Sequence, residues 1–381
     1  MFGFLRSGVD SLDIAFQGAL NPEVIANLRA DQDALKERDF QDRALITVGP
    51  GRLEAHLKES GARGGYAFVL DTGPEGATYL FKKNPDPAQW NGFVSISASG
   101  LLTRGLDGAV AMVWQALAGM GFRIADHAVN RIDYAMDFKI DRFEPNVDRF
   151  VAHSNTKTAP HYGPKTEPDS AVPQPVWRGR RLESVTVGKM PGRQLILYDK
   201  RREALQKHKA WWFKAWDIDP KAKSVEVWRI EFRAGKQELK ENWRLTHLSE
   251  IREALGDMLE SALTEIRYLD DRQTDGNVSR QRLHPLWCLA LATVHQSPEI
   301  NRCGLARGQV KEVERSQAIE TYSKQIQGLS ASFAAAQGWD DKTAEADLTN
   351  AVTGLVEDAL ADQRRPFAVR LAKAAEKRRF F

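Results

Sequence analysis

The chain has 381 residues, more than one ordinary domain needs, and its 42 % hydrophobic share is enough for a core and excludes a disordered chain. No run of about eighteen apolar residues occurs, Met1–Gly8 lacks a basic-then-apolar leader, and two cysteines (Cys288, Cys303) cannot make a disulfide framework; no membrane span, no secretory signal and a reducing, cytoplasmic setting are expected. The net charge of +3 hides a central basic segment: Trp177–Arg244 carries 18 Lys and Arg against 9 Asp and Glu, together with six of the ten tryptophans. Basic residues meet phosphates and aromatic faces stack unpaired bases, so this segment suggests nucleic acid; the alternative is a solvated basic surface over core tryptophans.

In chain order, Leu12–Phe16 is the first β-like run, and it places an acid, Asp13, between apolar residues. The same pattern returns at Ile132–Met136 and Ile230–Phe232, and such acids are costly unless a cation meets them. Gly61–Gly65 is a turn and no phosphate cradle, since no strand-to-helix context surrounds it. In Asn130–Phe138, strand alternation puts Ile132, Tyr134, Met136 and Phe138 on a core face, and Arg131, Asp133 and Asp137 on the other, with the two carboxylates about 7 Å apart. Residues 154–176 read as a long exposed loop. In Gln194–Lys200, Ile196, Tyr198 and Lys200 share a face. A cation beside Tyr198 would favour the phenolate, a competent nucleophile for a phosphodiester; singly, such a tyrosine is also an ordinary half-buried strand residue. In Trp228–Arg233, Arg229, Glu231 and Arg233 face away from the core.

If these strands are neighbours, Asp133, Asp137 and Glu231 converge, and three hard oxygen donors suit Mg²⁺ or Mn²⁺. The alternative is cross-strand ion pairing with Arg131, Arg229 and Arg233.

Beyond residue 245 the pattern turns helical, with candidates at Leu248–Leu269, Pro285–His295, Val310–Ala336, Ala344–Ala361 and a basic stretch at Arg364–Arg379. The expected division is therefore 1–245, an α+β region, and 246–381, a helical C-terminal region. No phosphate-binding Gly-X-X-X-X-Gly-Lys loop and no Gly-X-Ser-X-Gly elbow is present.

Asn130–Phe138, Gly192–Lys200 and Val227–Arg233, in this order and spacing, resemble the motifs of the replication initiation factor family of rolling-circle plasmid and phage initiators and related relaxases of integrative conjugative elements. Val94–Gly100 is similar to the Ser-Gly strand that precedes the first acidic motif. The resemblance covers roughly residues 10–245. It implies an α+β fold, a mainly antiparallel sheet with covering helices, like that of relaxases and rolling-circle initiators. It implies a tyrosine-dependent enzyme that nicks and rejoins one DNA strand through a 5′-phosphotyrosine link. Tyr198 would be the nucleophile, with Lys200 beside it, and Asp133, Asp137 and Glu231 would hold Mg²⁺ or Mn²⁺. Arg131 or Arg229 would hold a neighbouring phosphate, and the basic charge of the central segment makes Arg193, Arg201, Arg202, Lys207 and Arg233 further candidate DNA contacts. Other nicking enzymes use a His-X-His metal site, and none occurs among the eight histidines here. The partner would be origin DNA, single-stranded or at a hairpin. For the helical tail, a homodimer contact, a second DNA-binding unit and a host-helicase dock are all open. A DNA-binding protein without chemistry and a metal-dependent nuclease without a covalent link are the rival readings.

Overall fold

In the computed structural model, residues 2–37, 43–152, 174–178, 181–207, 209, 211–222, 224–271, 281–297, 307–364 and 366–377 are described. The proposed loop at 154–176 lies, up to residue 173, outside them, and so does Cys303. The chain forms two compact units, Met1–Cys303 and Gly304–Phe381.

The first unit is α+β. In chain order it contains β1 (Phe2–Leu20), α1 (Pro22–Lys36), β2 (Arg43–Val48), β3 (Leu53–Lys58), β4 (Phe68–Asp71), β5 (Ala77–Phe81), β6 (Trp90–Ile96), α2 (Ala98–Gly119) and β7 (Phe122–Ile140). There follow β8 (Phe150–Ala152), β9 (Gln174–Arg178), β10 (Arg181–Gly188), β11 (Arg193–Asp199), α3 (Lys200–Gln206), α4 (Trp211–Trp216) and β12 (Glu226–Gly235). The unit ends with α5 (Leu248–Glu265), β13 (Ile266–Tyr268) and α6 (Pro285–Gln296). Among the described residues one sheet has eleven strands in the order β2-β3-β4-β5-β6-β1-β7-β12-β11-β10-β9, and its neighbours all run antiparallel.

Strand alternation decides which face is covered. Ile132, Tyr134, Met136 and Phe138 of β7, Trp228, Ile230 and Phe232 of β12, and Leu195 and Leu197 of β11 enter the main core. Buried residues of α1, α2, α5 and α6 belong to the same core. The opposite face of the central strands carries a smaller cluster, in which Trp212, Phe213 and Trp216 of α4 pack with Ala204 of α3 and Val227 of β12. The sequence expectation for the faces of β7, β11 and β12 is therefore met.

Three local expectations differ. Helix α5 keeps the apolar stripe Leu248, Ile251, Leu255, Leu259 and Leu263 but stops at Glu265, short of Leu269. The following Ile266 and Tyr268, a β-branched and an aromatic residue, pair with β8 and are buried in strand form. The Val94–Gly100 motif is strand only to Ile96, since α2 starts at Ala98. The compact first unit also extends past 245, because Ile251, Leu255, Leu259, Leu286 and Trp287 of α5 and α6 share the core with the sheet.

The second unit holds α7 (Arg307–Ala336), α8 (Asp341–Ala361) and α9 (Phe367–Lys377). The break between α7 and α8 falls at Gly338, which has φ +73°, and Trp339 packs edge-on to Phe333 at 6.0 Å. Among the described residues no helix is long and apolar enough to cross a membrane.

Candidate active site

The pocket opens on the sheet face away from the main core. Register brings its parts together: Tyr198 of β11 faces Arg229 of β12, and Glu231 faces Ala135 of β7, midway between Asp133 and Asp137. The resulting cavity is about 460 Å³, and Tyr198, Glu231, Asp133, Arg131, Arg233, Lys200, Arg202, Lys207 and Lys209 are among its walls.

Tyr198 O–H donates to Glu231 Oε2 at 2.7 Å. Burial, opposed by Arg229 and reinforced by Glu231 and Asp10, pushes this phenol well above its usual range. Lys200 is not free to lower it. The residue is the first of α3, after Asp199 has capped the helix by accepting from Arg202 N (3.0 Å). Its ammonium lies 2.8 Å from Glu203 Oε2 and 5.5 Å from the Tyr198 ring centre, and burial lowers its pKa. A phenolate prepared by a neighbouring cation is thus replaced by a protonated phenol hydrogen-bonded to a carboxylate.

Each acid that the sequence assigned to a metal meets an arginine instead. Arg131 Nε and Nη2 donate to Asp133 Oδ1 and Oδ2 (2.8 and 2.5 Å). Arg233 Nε donates to Glu231 Oε1 at 2.7 Å and lies 3.6 Å from Asp133 Oδ2. Arg229 Nε and Nη2 chelate Asp137 (2.5 and 2.8 Å), Arg229 Nη1 donates to Asp10 Oδ1 (2.7 Å), and Trp216 Nε1 donates to Asp137 Oδ2 (2.8 Å). The Arg229 guanidinium also lies 4.3 Å from the centre of a Trp212 ring. Asp137 and Arg229 are both 1 % exposed, and neither is a wall of the cavity.

Asp133, Asp137 and Glu231 share a face, as alternation required. They do not gather into a three-ligand set with a free oxygen each, so they do not fit the divalent ion that the resemblance implies. Among the described residues, three ligand atoms lie mutually within 4.8 Å only at Asp126, His127 and His247. Burial raises the Asp133 carboxyl to about 6, against the opposing pull of Arg131 and Arg233.

The basic residues divide similarly. Arg131, Arg202, Lys207 and Arg233 line the cavity. Arg193 lies instead on the helix-covered side, where its Nη2 donates to Glu265 Oε2 at 2.6 Å. Arg201 Nη2 donates to the carbonyls of Pro220 and Ala222 at 2.9 and 3.2 Å. Of the central tryptophans, Trp212, Trp216 and Trp228 are buried, whereas Trp177 is 56 % exposed.

Four contributors had escaped the sequence reading. Asp10 sits where the β1–β7 register shifts between Val9 and Ser11, and such a bulge re-aims a side chain. Trp212 and Trp216 come from α4, and Lys209 from the turn before it. Only the acid-in-apolar-strand pattern of the N-terminal segment pointed this way, and it singled out Asp13, whose partner is Ser95 (2.6 Å).

No protein-family model and no curated protein matches the chain. Among solved structures, the rolling circle replication initiator protein from Geobacillus stearothermophilus aligns over 77 % of this chain and 97 % of its own, with 13 % identity and a TM-score of 0.39. A likeness of that degree assigns no activity.

Proposed function

We propose that the chain is a DNA nicking-closing enzyme that cuts and rejoins one strand through Tyr198, to initiate rolling-circle replication or conjugative transfer. The observation that carries this reading is the Tyr198–Glu231 hydrogen bond of 2.7 Å in a cavity whose walls include Arg131 and Arg233. It supports a nucleophile, its base and two phosphate-binding cations in one place, which is what strand transfer needs.

The chemistry follows from the atoms present. A scissile phosphate enters between Arg131 and Arg233, whose side chains are 31 and 30 % exposed. The Tyr198 oxygen attacks phosphorus while its proton passes to Glu231. The new O–P bond forms on the 5′ side, the P–O3′ bond breaks, and the leaving oxygen takes a proton from water to become a 3′-hydroxyl. In reverse, that hydroxyl attacks the phosphotyrosine and restores both strand and phenol. Because the phenol starts protonated, Glu231 is required as the base in the forward step.

The test is incubation of the chain with a labelled single-stranded or hairpin origin oligonucleotide and Mg²⁺, followed by a denaturing gel. A covalent adduct that Tyr198→Phe abolishes, and that Glu231→Gln slows by about 10²–10⁴-fold, supports the proposal. Cleavage without an adduct would make the chain a hydrolytic nuclease, and binding alone would make it a DNA-binding protein; either result rejects the transfer mechanism.

A further inference from the structure

A second cluster stands apart from the tyrosine pocket. It joins the start of β7 to the N-terminus of α5 and consists of Asp126, His127 and His247, whose ligand atoms lie within 4.8 Å of one another. The His127 ring faces Phe16 and Trp114, at 6.3 and 5.3 Å spacings typical of ring packing, so it lies on the helix-covered side of the sheet. Asp126 is seven residues before Asp133 on the same strand, roughly 23 Å at about 3.3 Å per residue. This cluster is therefore not the site that the resemblance implies, and nothing in the proposed strand transfer uses it.

We infer that Asp126, His127 and His247 bind a transition-metal dication of the zinc class, which clips β7 to the head of α5. Three features carry the inference. First, the donors suit that class: two imidazoles and one carboxylate favour Zn²⁺ over Mg²⁺. Second, the spacing is near a coordination polyhedron. Ligands about 2.0–2.1 Å from a tetrahedral ion are roughly 3.4 Å apart, and His247 Nε2 already lies 3.1 Å from Asp126 Oδ1. Third, the surroundings suit liganding histidines. The His127 ring has no hydrogen-bond partner among the described residues and stands edge-on to the His247 ring at 5.1 Å. His247 Nδ1 lies 3.1 Å from Thr246 Oγ1, an outer-shell contact that orients the ring, and a bound ion would take the place of the direct Nε2–Asp126 contact.

A dication at a helix N-terminus meets the positive end of the helix, and Glu250 offsets this. Its Oε2 accepts from the backbone N–H groups of Thr246 and His247 at 3.0 Å each and lies 3.8 Å from His247 Nδ1. Asp126 and His247 are 45 and 41 % exposed, which leaves an entry path and a fourth position for water.

The experiment titrates the full chain, first stripped with a chelator and dialysed, with Zn²⁺ by calorimetry and with Co²⁺ by visible absorption. The expected result is one equivalent bound with Kd near or below about 1 μM and ligand-field bands in the Co²⁺ spectrum. His127→Gln and Asp126→Asn, which leave the α5 cap in place, should each weaken binding at least tenfold, as should His247→Ala. Absence of binding tighter than about 100 μM, or binding that survives both His127→Gln and Asp126→Asn unchanged, would overturn the inference. Circular dichroism confirms that each variant is folded, and the adduct assay of Tyr198 reads the other site separately.

Discussion

Replacement of Asp137 by alanine separates a structural ion pair from a metal ligand. Asp137 and Arg229 are both 1 % exposed, and the pair is chelated through two N–H···O contacts with a third donor from Trp216. Removing one partner of a buried ion pair costs about 3–5 kcal/mol, because the remaining charge is stranded. Asp10, 2.7 Å from Arg229 Nη1, keeps part of that charge compensated and points to the lower end. The orphaned Trp216 N–H adds about 1 kcal/mol or more, so a total near 4 kcal/mol is expected. At a urea dependence of about 3 kcal/mol/M for a unit of this size, the midpoint falls by more than roughly 1 M. Tryptophan fluorescence is the assay, because nine of the ten tryptophans precede residue 304 and report the first unit. The double variant Asp137→Leu with Arg229→Met should recover much of the loss, since a paired charge is exchanged for packing. An unchanged midpoint in Asp137→Ala, or a double variant as unstable as the sum of its parts, would refute the account. Loss of Mg²⁺-dependent nicking in Asp137→Asn at full stability would return Asp137 to the metal.

Further outcomes can be checked on the same chain. The Asp133 carboxyl at about 6 sits above its unfolded value of 3.8, so the folded state holds this proton more tightly and stability falls as pH rises from 4 to 6, by up to about 3 kcal/mol. Asp133→Asn should flatten the urea midpoint between pH 4.5 and 7.5; a slope equal to that of the parent chain would contradict the burial argument. That window lies above the titration of Glu203, which its lysine neighbours hold down at about 2. Trp216→Phe, which removes only the N–H to Asp137, should cost about 1–2 kcal/mol, read by the same denaturation. Arg202→Ala with Lys207→Ala should lower the salt dependence of oligonucleotide binding by about two phosphate contacts, whereas Arg193→Ala should leave it unchanged and lower stability. Equal salt slopes in all three would place the DNA elsewhere. Gly235→Ala should destabilise by about 1–3 kcal/mol, since a Cβ there would lie 2.2 Å from the Pro191 carbonyl oxygen; a melting temperature equal to the parent's would mean that the turn yields freely.

Much of the sheet was legible because alternation is a local property. The period of two placed Asp133, Asp137, Glu231 and Tyr198 on one face of three separate strands, and the structure brings those strands side by side. What parity does not contain is register. Whether Glu231 stands opposite Ala135 or one pair along decides if the acids share an ion or each take an arginine, and that depends on contacts between distant segments. Parity also cannot foresee a change of element. Lys200 was read as the next residue of a strand, but the Asp199 cap turns the chain into α3 there. Arg193 counted as a DNA contact by its charge, yet its position in β11 sends it to Glu265 on the other side. The contribution of Asp10 rests on a bulge, which leaves almost no trace in composition.

The arginines at the mouth of the tyrosine pocket are already neutralised by Asp133 and Glu231. An incoming phosphodiester therefore gains no bare cation; it must trade places with a carboxylate. Entry becomes an exchange of anions, in which weak or lone anions such as chloride compete poorly and a strand anchored elsewhere on the surface competes well. The same exchange would free the Glu231 oxygen that Arg233 now occupies, while its other oxygen holds the Tyr198 hydroxyl at 2.7 Å. Strand docking and the carboxylate that the proposed transfer uses as its base would thereby share one arginine.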